Sequence, residues 1–208
     1  MLKIKIVEVF EGIQGEGRFA GTPMLFIRLS GCTRKCNYCD TKYHEKGKKI
    51  SVQSLVRRIL RTNIRTICLS GGEPLIQKDA VRRLIWLVRQ NEGFKQFHLE
   101  TNGDLLDWVD FEIFDYIAIS PKSLVTAKRV HKFRVGKRVV TSDVKVVTDL
   151  DKIGVNLIKF ASMLMPLTMN NRYIDAEIRQ KVWKYCVKHR INYSPRLHFE
   201  LFGKRRGV

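Results

Sequence analysis

The sequence contains no uninterrupted apolar stretch of the ~18 residues that a membrane-spanning helix needs. Its first residues, Met1 to Val7, alternate apolar and charged side chains, which predicts a β-strand; they lack the apolar core and the cleavage site of a secretory signal peptide. No internal repeat, low-complexity segment or interdomain linker interrupts the 208 residues. We therefore predict a single domain over residues 1–208, with no membrane association and located in the cytoplasm.

Acidic side chains are scarce, since 20 Asp and Glu stand against 39 Lys and Arg, and the net charge is +19. Such a charge attracts polyanions, so contact with nucleic acid or with an acidic partner has to be considered. The excess is densest from Lys122 to Arg138, where seven Lys or Arg occur without an acid. We interpret this segment as a solvated basic face and do not expect nucleic-acid binding; a face for nucleic acid or an acidic partner is the alternative.

The sequence has five cysteines, an odd number, whereas a framework of disulfide bonds uses an even number. Cys68 lies in an apolar run of strand length and Cys186 on the apolar face of a predicted helix, so both are expected in the core. The remaining three, Cys32, Cys36 and Cys39, form the spacing C-x3-C-x2-C. We expect this cluster to carry chemistry, in a reducing compartment.

Three clustered thiolates suit either zinc or an iron–sulfur cluster. They can hold three irons of a four-iron cube and leave the fourth iron open, and an open metal position separates a reactive centre from a structural one. That iron could bind the amino and carboxylate groups of S-adenosylmethionine (SAM), and one-electron reduction would then cleave the sulfonium to a carbon radical. The alternatives are a structural zinc site completed by His44 and a disulfide pair with one spare thiol.

Strand-like apolar runs alternate with helix-periodic segments along the rest of the chain, which predicts parallel βα units with right-handed crossovers. The chain is shorter than the ~250 residues of a complete eight-fold barrel. We therefore predict the α/β class and a partial, open TIM-like parallel βα barrel. The predicted strands are 2–10, 23–30, 64–70, 95–100, 116–120, 143–148, 156–160 and 193–202, and the predicted helices are 52–60, 74–90 and 172–189.

Polar motifs follow three of these strands and should line one rim of the barrel, where such folds keep their chemistry. They are Gly71-Gly72-Glu73, Glu100-Thr101-Asn102 and Ser120-Pro121-Lys122. Before them comes a glycine-rich turn over 12–17, which holds Gln14 and Glu16 and lets backbone approach a ligand closely. Arg28 interrupts an apolar strand; a buried guanidinium needs an anion, so we interpret Arg28 as facing a pocket, with solvent as the alternative.

The cysteine spacing followed by Gly71-Gly72-Glu73-Pro74 resembles the radical SAM superfamily. Further motifs resemble one family within it, the 7-carboxy-7-deazaguanine synthases, and they reach from residue 12 to the end of the chain. The matching stretches are 12–17, 26–29, 39–41, 70–75, 100–103, 120–122, 196–198 and 206–208.

This resemblance implies a lyase that converts 6-carboxytetrahydropterin into 7-carboxy-7-deazaguanine, releasing ammonia and regenerating SAM. The implied cofactors are a [4Fe–4S] cluster on the three cysteines, SAM, and Mg²⁺ at Thr41. The implied partners are the pterin substrate, an unidentified one-electron reductant and a second copy in a homodimer. The implied SAM contacts are Tyr38, Gly71, Gly72, Glu73, Glu100, Ser120 and Lys122, and the implied substrate contacts are Ile13, Gln14, Gly15, Glu16, Gly17, Arg28, Gly72 and His198.

Two other functions are weighed against this one. A glycyl-radical activase shares the cysteine loop but lacks the Cys-Asp-Thr and Gln-Gly-Glu-Gly pair. A zinc-binding nucleic-acid module would use the net charge and His44, but it leaves Gly-Gly-Glu-Pro and Glu-Thr-Asn-Gly unexplained. The sequence also departs from the family: Tyr38 stands where many members have Trp, and Met165-Pro166 matches a Gln-Pro element only loosely. The resemblance does not explain the basic segment 122–138.

Overall fold

The architecture is known from a computed structural model, which describes residues 2–39, 41, 44–91, 94–136 and 141–207; the side chains of 135 and 136 are not described. Within these residues the chain forms nine strands and six α-helices. The strands are β1 (Lys3–Ile13), β2 (Pro23–Leu29), β3 (Lys48–Ser51), β4 (Thr66–Gly71), β5 (Gln96–Thr101), β6 (Tyr116–Ile119), β7 (Ser142–Thr148), β8 (Met163–Pro166) and β9 (Asn192–Tyr193). The helices are α1 (Val52–Arg61), α2 (Lys78–Asn91), α3 (Trp108–Ile113), α4 (Leu124–Gly136), α5 (Arg172–His189) and α6 (Leu197–Phe202).

The strands form a single sheet in the order β3-β1-β2-β4-β5-β6-β7-β8-β9. β1 runs antiparallel to β2 and β3, and every pair from β2 to β9 is parallel. Because β3 and β9 stay at opposite ends, the sheet does not close on itself. The prediction of a partial, open TIM-like barrel is therefore confirmed.

The predicted helices form, because each buries one apolar stripe. α1 and α5 have the expected bounds to within a residue, whereas the helix predicted at 74–90 begins as α2 only at Lys78, after a 3₁₀ helix over Pro74–Gln77. The Ser51 hydroxyl accepts a hydrogen bond from the Ser54 amide and caps α1, an interaction that stabilises a helix by ~1 kcal/mol. α5 begins in the same way at Asn171. The buried stripes are Val52, Leu55, Val56 and Ile59 on α1, and Val81, Leu84, Ile85 and Val88 on α2.

The strand predicted at 156–160 is wrong. Gly154, at a φ of 72°, turns the chain into a 3₁₀ helix over Val155–Phe160, and the strand comes afterwards as β8. Three of the five residues from Asn156 to Phe160 are apolar, as in a short strand, so local composition alone does not separate the two. All four residues of β8 are buried, and β8 pairs with β7. Burial between neighbours therefore decided which segment joined the sheet.

The strand predicted at 193–202 is also wrong beyond its first residue. β9 covers only Asn192–Tyr193, and α6 follows at Leu197–Phe202. Between them Ser194 and Arg196 turn inward and are buried, on either side of Pro195. β3, α3 and α4 had not been predicted, and α4 lies inside the basic segment 122–138.

All five cysteines are free thiols, so the disulfide alternative is contradicted. Cys68 and Cys186 are buried, which confirms their assignment to the core. Across the described residues, no helix combines the length and the apolar character required to traverse a bilayer. The polar motifs lie at the carboxyl ends of β4, β5 and β6, which are parallel neighbours, so they meet at one rim of the sheet.

Candidate active site

The cysteine loop is attached to the rim by the turn that follows β4. The Gly72 amide donates to the Leu29 carbonyl (3.1 Å), and the Glu73 amide donates to the Gly31 carbonyl (2.8 Å). Gly71 adopts a φ of 115°, which other residues rarely do. A Cβ on Gly72 would overlap the Gly31 carbonyl oxygen. The two glycines are therefore needed for backbone to lie directly against the cysteine loop.

Replacing Gly72 by alanine should displace the cysteine loop and lower cluster uptake by at least ~10-fold, because the new methyl group and the Gly31 carbonyl cannot share the same space. Iron and sulfide content after anaerobic reconstitution measures this. The control is Gly21→Ala, where a new Cβ meets nothing within 4 Å even though Gly21 has a positive φ of 93°. Equal iron content in the two variants would contradict the steric argument.

Glu73 joins β4 to β5 through a fully buried carboxylate. That group accepts hydrogen bonds from the Leu75 amide (3.1 Å), the Thr101 hydroxyl (2.8 Å) and the Asn102 amide (2.8 Å). Burial raises the pKa of Glu73 to about 6, although these donors favour the ionised form. Because Glu73 is buried, Gly71 and Gly72 are the residues of this turn that remain partly exposed to a ligand.

A second attachment of the cysteine loop centres on Asp104, which the sequence had not suggested. The Arg34 guanidinium binds both carboxylate oxygens of Asp104 (2.6 and 2.8 Å). The Thr33 hydroxyl (3.0 Å) and the Thr126 hydroxyl of α4 (2.6 Å) also donate to Asp104. The hydrogen bond from Arg34, first among these contacts, holds the pKa of Asp104 at about 2. Asp104 thus fixes the first half of the loop between β5 and α4.

The three cysteines are partly exposed free thiols on one loop, and the surroundings of Cys32 suit a metal-bound thiolate. The Arg34 amide lies 3.4 Å from Cys32 Sγ, and Asn102 Nδ2 lies 4.0 Å from it. No three His, Cys, Asp or Glu side chains of the described ranges surround a common point as metal ligands would. Ligand organisation and metal binding are coupled, so the donor set still fits a cluster that gathers the three thiolates as it binds.

His44 does not complete a four-ligand zinc site within the part of the chain that is described. Its backbone bridges the loop instead, because its amide donates to the Thr41 carbonyl (3.0 Å) and its carbonyl accepts from the Gly31 amide (3.1 Å). Thr41, the predicted magnesium ligand, is half-buried at this point. Asp40, between Cys39 and Thr41 in the matching motif, lies outside the described residues.

The glycine-rich turn carries Glu16 into a buried ionic network. Lys145 of β7, whose side chain is 2% exposed, donates to Glu16 (2.7 Å) and to Glu100 of β5 (2.9 Å). Burial favours the neutral form of Lys145, but the attraction of Glu100 and Glu16 outweighs it and raises its pKa. Burial alone would raise the pKa of Glu16, but its attraction to Lys145, Arg196 and His198 is stronger and holds that pKa far below its usual range. Lys145 and Glu16 are therefore both charged.

The segment after β9 closes over the glycine-rich turn. Arg196 Nε lies 3.2 Å and His198 Nε2 3.8 Å from Glu16 Oε1. The Leu197 amide donates to the Gly15 carbonyl (3.0 Å). A Cβ on Gly15 would overlap the His198 ring, so glycine is required for this contact. The Ser194 hydroxyl accepts from the Gly17 amide (2.8 Å).

Gln14 connects the same turn to β5. Its Nε2 lies 3.3 Å from Glu100 Oε1, and its Oε1 accepts from the Glu16 amide (3.2 Å). Burial raises the pKa of Glu100, and Lys145 opposes that effect. Gln14, Glu16, Glu100, Lys145, Arg196 and His198 are hereafter called the ionic network. The sequence singled out three of the implied substrate residues here, Gln14, Glu16 and His198, but it missed Lys145.

Arg28 has an anionic partner, as expected for a half-buried guanidinium, but the partner belongs to the protein. It is Glu8 of β1, 2.7 Å away, and the guanidinium also lies 5.1 Å from the Phe10 ring centroid. Glu8 and Arg28 face each other in the register of β1 and β2. Ile13, another implied substrate residue, is 48% exposed at the end of β1.

The remaining implied SAM residues lie beside a second part of the rim. Lys122 Nζ donates to the Ser120 hydroxyl (3.0 Å) and lies 5.6 Å from the Tyr38 ring centroid. Tyr38 and Lys122 border a cavity of ≈ 220 Å³. Its far wall is formed by Val147 and by the chain from Lys152 to Leu157. The structure therefore brings Tyr38, Ser120 and Lys122 together next to the cysteine loop.

Residues 26–176 match the family model of the radical SAM superfamily. Over 94% of its length the chain is 33% identical to the 7-carboxy-7-deazaguanine synthase of Hyperthermus butylicus, and the match covers 91% of that protein. The chain belongs to the 7-carboxy-7-deazaguanine synthase family. It is 32% identical to the synthase of Bacteroides thetaiotaomicron, with 88% of this chain and 94% of that one covered.

Solved structures share the fold of this family member. QueE from Escherichia coli superposes with a TM-score of 0.57 at 18% identity, covering 93% of this chain and 94% of that one. Native anSMEcpe, solved with bound AdoMet and the Kp18Cys peptide, gives a TM-score of 0.61 at 18% identity, covering 88% of this chain and 67% of that one. At this identity the likeness concerns the fold alone.

Family membership confirms the expected radical SAM enzyme, with SAM and a [4Fe–4S] cluster as its cofactors. The zinc-binding nucleic-acid module is therefore wrong, and the glycyl-radical activase loses its support. Magnesium, the homodimer and the roles of individual residues stay predictions.

Proposed function

We propose that this radical SAM enzyme converts 6-carboxytetrahydropterin into 7-carboxy-7-deazaguanine and releases ammonia. The observation that carries the proposal is the 33% identity, over 94% of the chain, to a relative whose name gives 7-carboxy-7-deazaguanine as its product. The ionic network supports it, because it places buried polar groups of both charges at the rim where the cysteine loop lies. We propose that the reaction takes place in the cytoplasm, where a reducing environment preserves an iron–sulfur cluster.

A cluster held by Cys32, Cys36 and Cys39, together with SAM, would supply the carbon radical for this reaction. The chain's own contribution is to hold the loop that carries the cysteines. Gly72 and Glu73 bind one end of this loop at Leu29 and Gly31. Asp104 binds its middle through Arg34 and Thr33. These contacts limit the positions from which a radical can reach the substrate, and such positioning is a large part of catalysis.

The ionic network would recognise the pterin. One edge of a pterin ring carries N–H donors and a carbonyl acceptor, so it needs acceptors and donors side by side. Glu16 remains ionised at neutral pH and can accept, and the amide of Gln14 can both donate and accept. Arg196 adds positive charge that suits the substrate carboxylate, and a ring nitrogen of His198 can donate a hydrogen bond to it. Removing any of these groups should leave buried partners unpaired, which costs affinity.

The Thr41 hydroxyl would take part in binding Mg²⁺ together with the substrate carboxylate, since Mg²⁺ prefers oxygen ligands and few protein groups. We expect Thr41→Ala to raise the Mg²⁺ concentration for half-maximal rate by ~10-fold or more, because one oxygen ligand is lost. Steady-state rates in a Mg²⁺ titration measure this, with SAM affinity as the control. An unchanged titration curve would exclude Thr41 as a ligand.

The test of the proposed function is anaerobic incubation of reconstituted, reduced protein with 6-carboxytetrahydropterin, SAM and Mg²⁺. We expect a deazapurine and ammonia in equal amounts, with no net consumption of SAM. Formation of 5′-deoxyadenosine without a deazapurine would refute the substrate and leave the radical SAM enzyme intact. Sedimentation of the same preparation tests the predicted homodimer.

A further inference from the structure

α4 is the basic segment that the family resemblance leaves unexplained. One side of this helix is buried through Thr126, Ala127 and Val130. The other side is exposed and basic, with Lys128, Arg129 and Lys132. Lys128 and Lys132 are four residues apart, so they project from the same face.

This basic face adjoins the cysteine loop through direct contacts. Arg34 Nη2 donates to the Ser123 hydroxyl just before α4 (3.2 Å). Thr126 donates to Asp104 (2.6 Å), and Arg129 donates to the Asp104 carbonyl (2.7 Å). Asp104 in turn binds Arg34 through two hydrogen bonds. The N-terminal half of α4 and the loop that carries the cysteines therefore form one continuous surface.

The outer side of the cysteine loop is open to solvent, because Thr33, Lys35 and Asn37 are exposed. An electron carrier can approach the cysteines at this point. Two described acids that follow β5 are already paired: Asp104 with Arg34, and Asp107 with Lys78 and Arg82. Lys35 and the exposed side of α4 therefore keep a positive field beside the cysteine loop.

We propose that Lys35 and the basic face of α4 (Lys128, Arg129 and Lys132) form the docking surface for an acidic electron-transfer protein. This rests on the proposed function only in requiring a redox-active cluster at the cysteines. The carrier gives up one electron and the oxidised cluster gains it, with no other bond made or broken. Nucleic acid is a less favoured partner, because binding its phosphates requires only a positively charged surface. Electron transfer also requires that this surface lie beside the cysteines, and the basic face of α4 adjoins the cysteine loop.

The test is stopped-flow reduction of the oxidised cluster by a reduced, acidic flavodoxin, without SAM or substrate. The variant is Lys128→Glu/Lys132→Glu. The matched control is Lys184→Glu/Lys188→Glu, which has the same spacing, exposure and charge change but lies on α5. We expect the first pair to slow reduction by ~10-fold or more at low salt and the second by less than about 3-fold, because charge steers association locally. Dithionite, which needs no docking, should reduce all three proteins equally fast.

Equal slowing by both pairs would mean that only the overall charge matters, and no slowing by either would mean that no docking occurs here; each result overturns the proposal. So would a first pair that is reduced normally but loses affinity for RNA, because the surface would then bind nucleic acid. The assay contains no pterin, so a failure to form deazapurine has no bearing on it. A wild-type protein that takes up no cluster would refute both proposals together.

Discussion

Replacing Cys36 by serine should abolish cluster assembly and lower SAM cleavage by more than ~1,000-fold. Serine keeps the size of the side chain but replaces a soft thiolate with an oxygen that binds iron–sulfur clusters poorly. The protein expected to hold about four irons and four sulfides would then hold few or none. Iron and sulfide analysis, the visible absorbance of the anaerobic protein and 5′-deoxyadenosine formation measure the effect.

The matched control for this prediction is Cys186→Ala. Cys186 is a buried free thiol on α5, and its Sγ lies 3.8 Å from the Asn192 carbonyl. Its loss should cost ~1–2 kcal/mol of unfolding free energy and leave the iron content unchanged. A Cys36→Ser protein that still binds four irons would exclude Cys36 as a ligand. Loss of iron from the Cys186 variant would show that general destabilisation, rather than ligand chemistry, controls cluster uptake.

The sequence predicted the parts of the site that lie in continuous motifs. Gly71-Gly72-Glu73 and Glu100-Thr101-Asn102 directly follow apolar runs, and parallel strands bring such ends to one rim. The cysteine loop lies beside them because the backbone at Gly72 and Glu73 binds Leu29 and Gly31. These relations follow from local pattern and from the topology of βα units, both of which a single sequence contains.

The sequence did not predict contacts that depend on long-range register. Lys145 lies 129 residues from Glu16 and 45 from Glu100, and its surroundings in the sequence read only as an apolar strand. A lysine within such a run was itself a signal, since a buried ammonium requires anions. The Glu8 partner of Arg28 follows from the pairing of β1 with β2. The strands predicted at 156–160 and 193–202 were wrong because a 3₁₀ helix and α6 lie there. Both helices are short and as rich in apolar residues as a short strand.

Replacing Lys145 by methionine should lower the free energy of unfolding by ~3–5 kcal/mol and reduce product formation by at least ~100-fold. Lys145 is the buried cation between Glu16 and Glu100, so its removal leaves two neighbouring carboxylates without their shared counter-ion. At least one of them would then take up a proton, and the pattern of acceptors offered to the pterin would change. Denaturant unfolding and the rate of deazapurine formation measure the two effects.

A double variant separates charge from packing. Lys145→Met/Glu100→Gln removes the cation and one anion, so the double variant should be more stable than the single Lys145→Met protein, with a coupling of ~1–3 kcal/mol. It should still form product slowly, because the contacts of Lys145 with Glu16 and Glu100 remain lost. If the two substitutions added independently, Lys145 would contribute packing rather than charge. If Lys145→Met retained wild-type turnover, the ionic network would support the fold without taking part in the reaction.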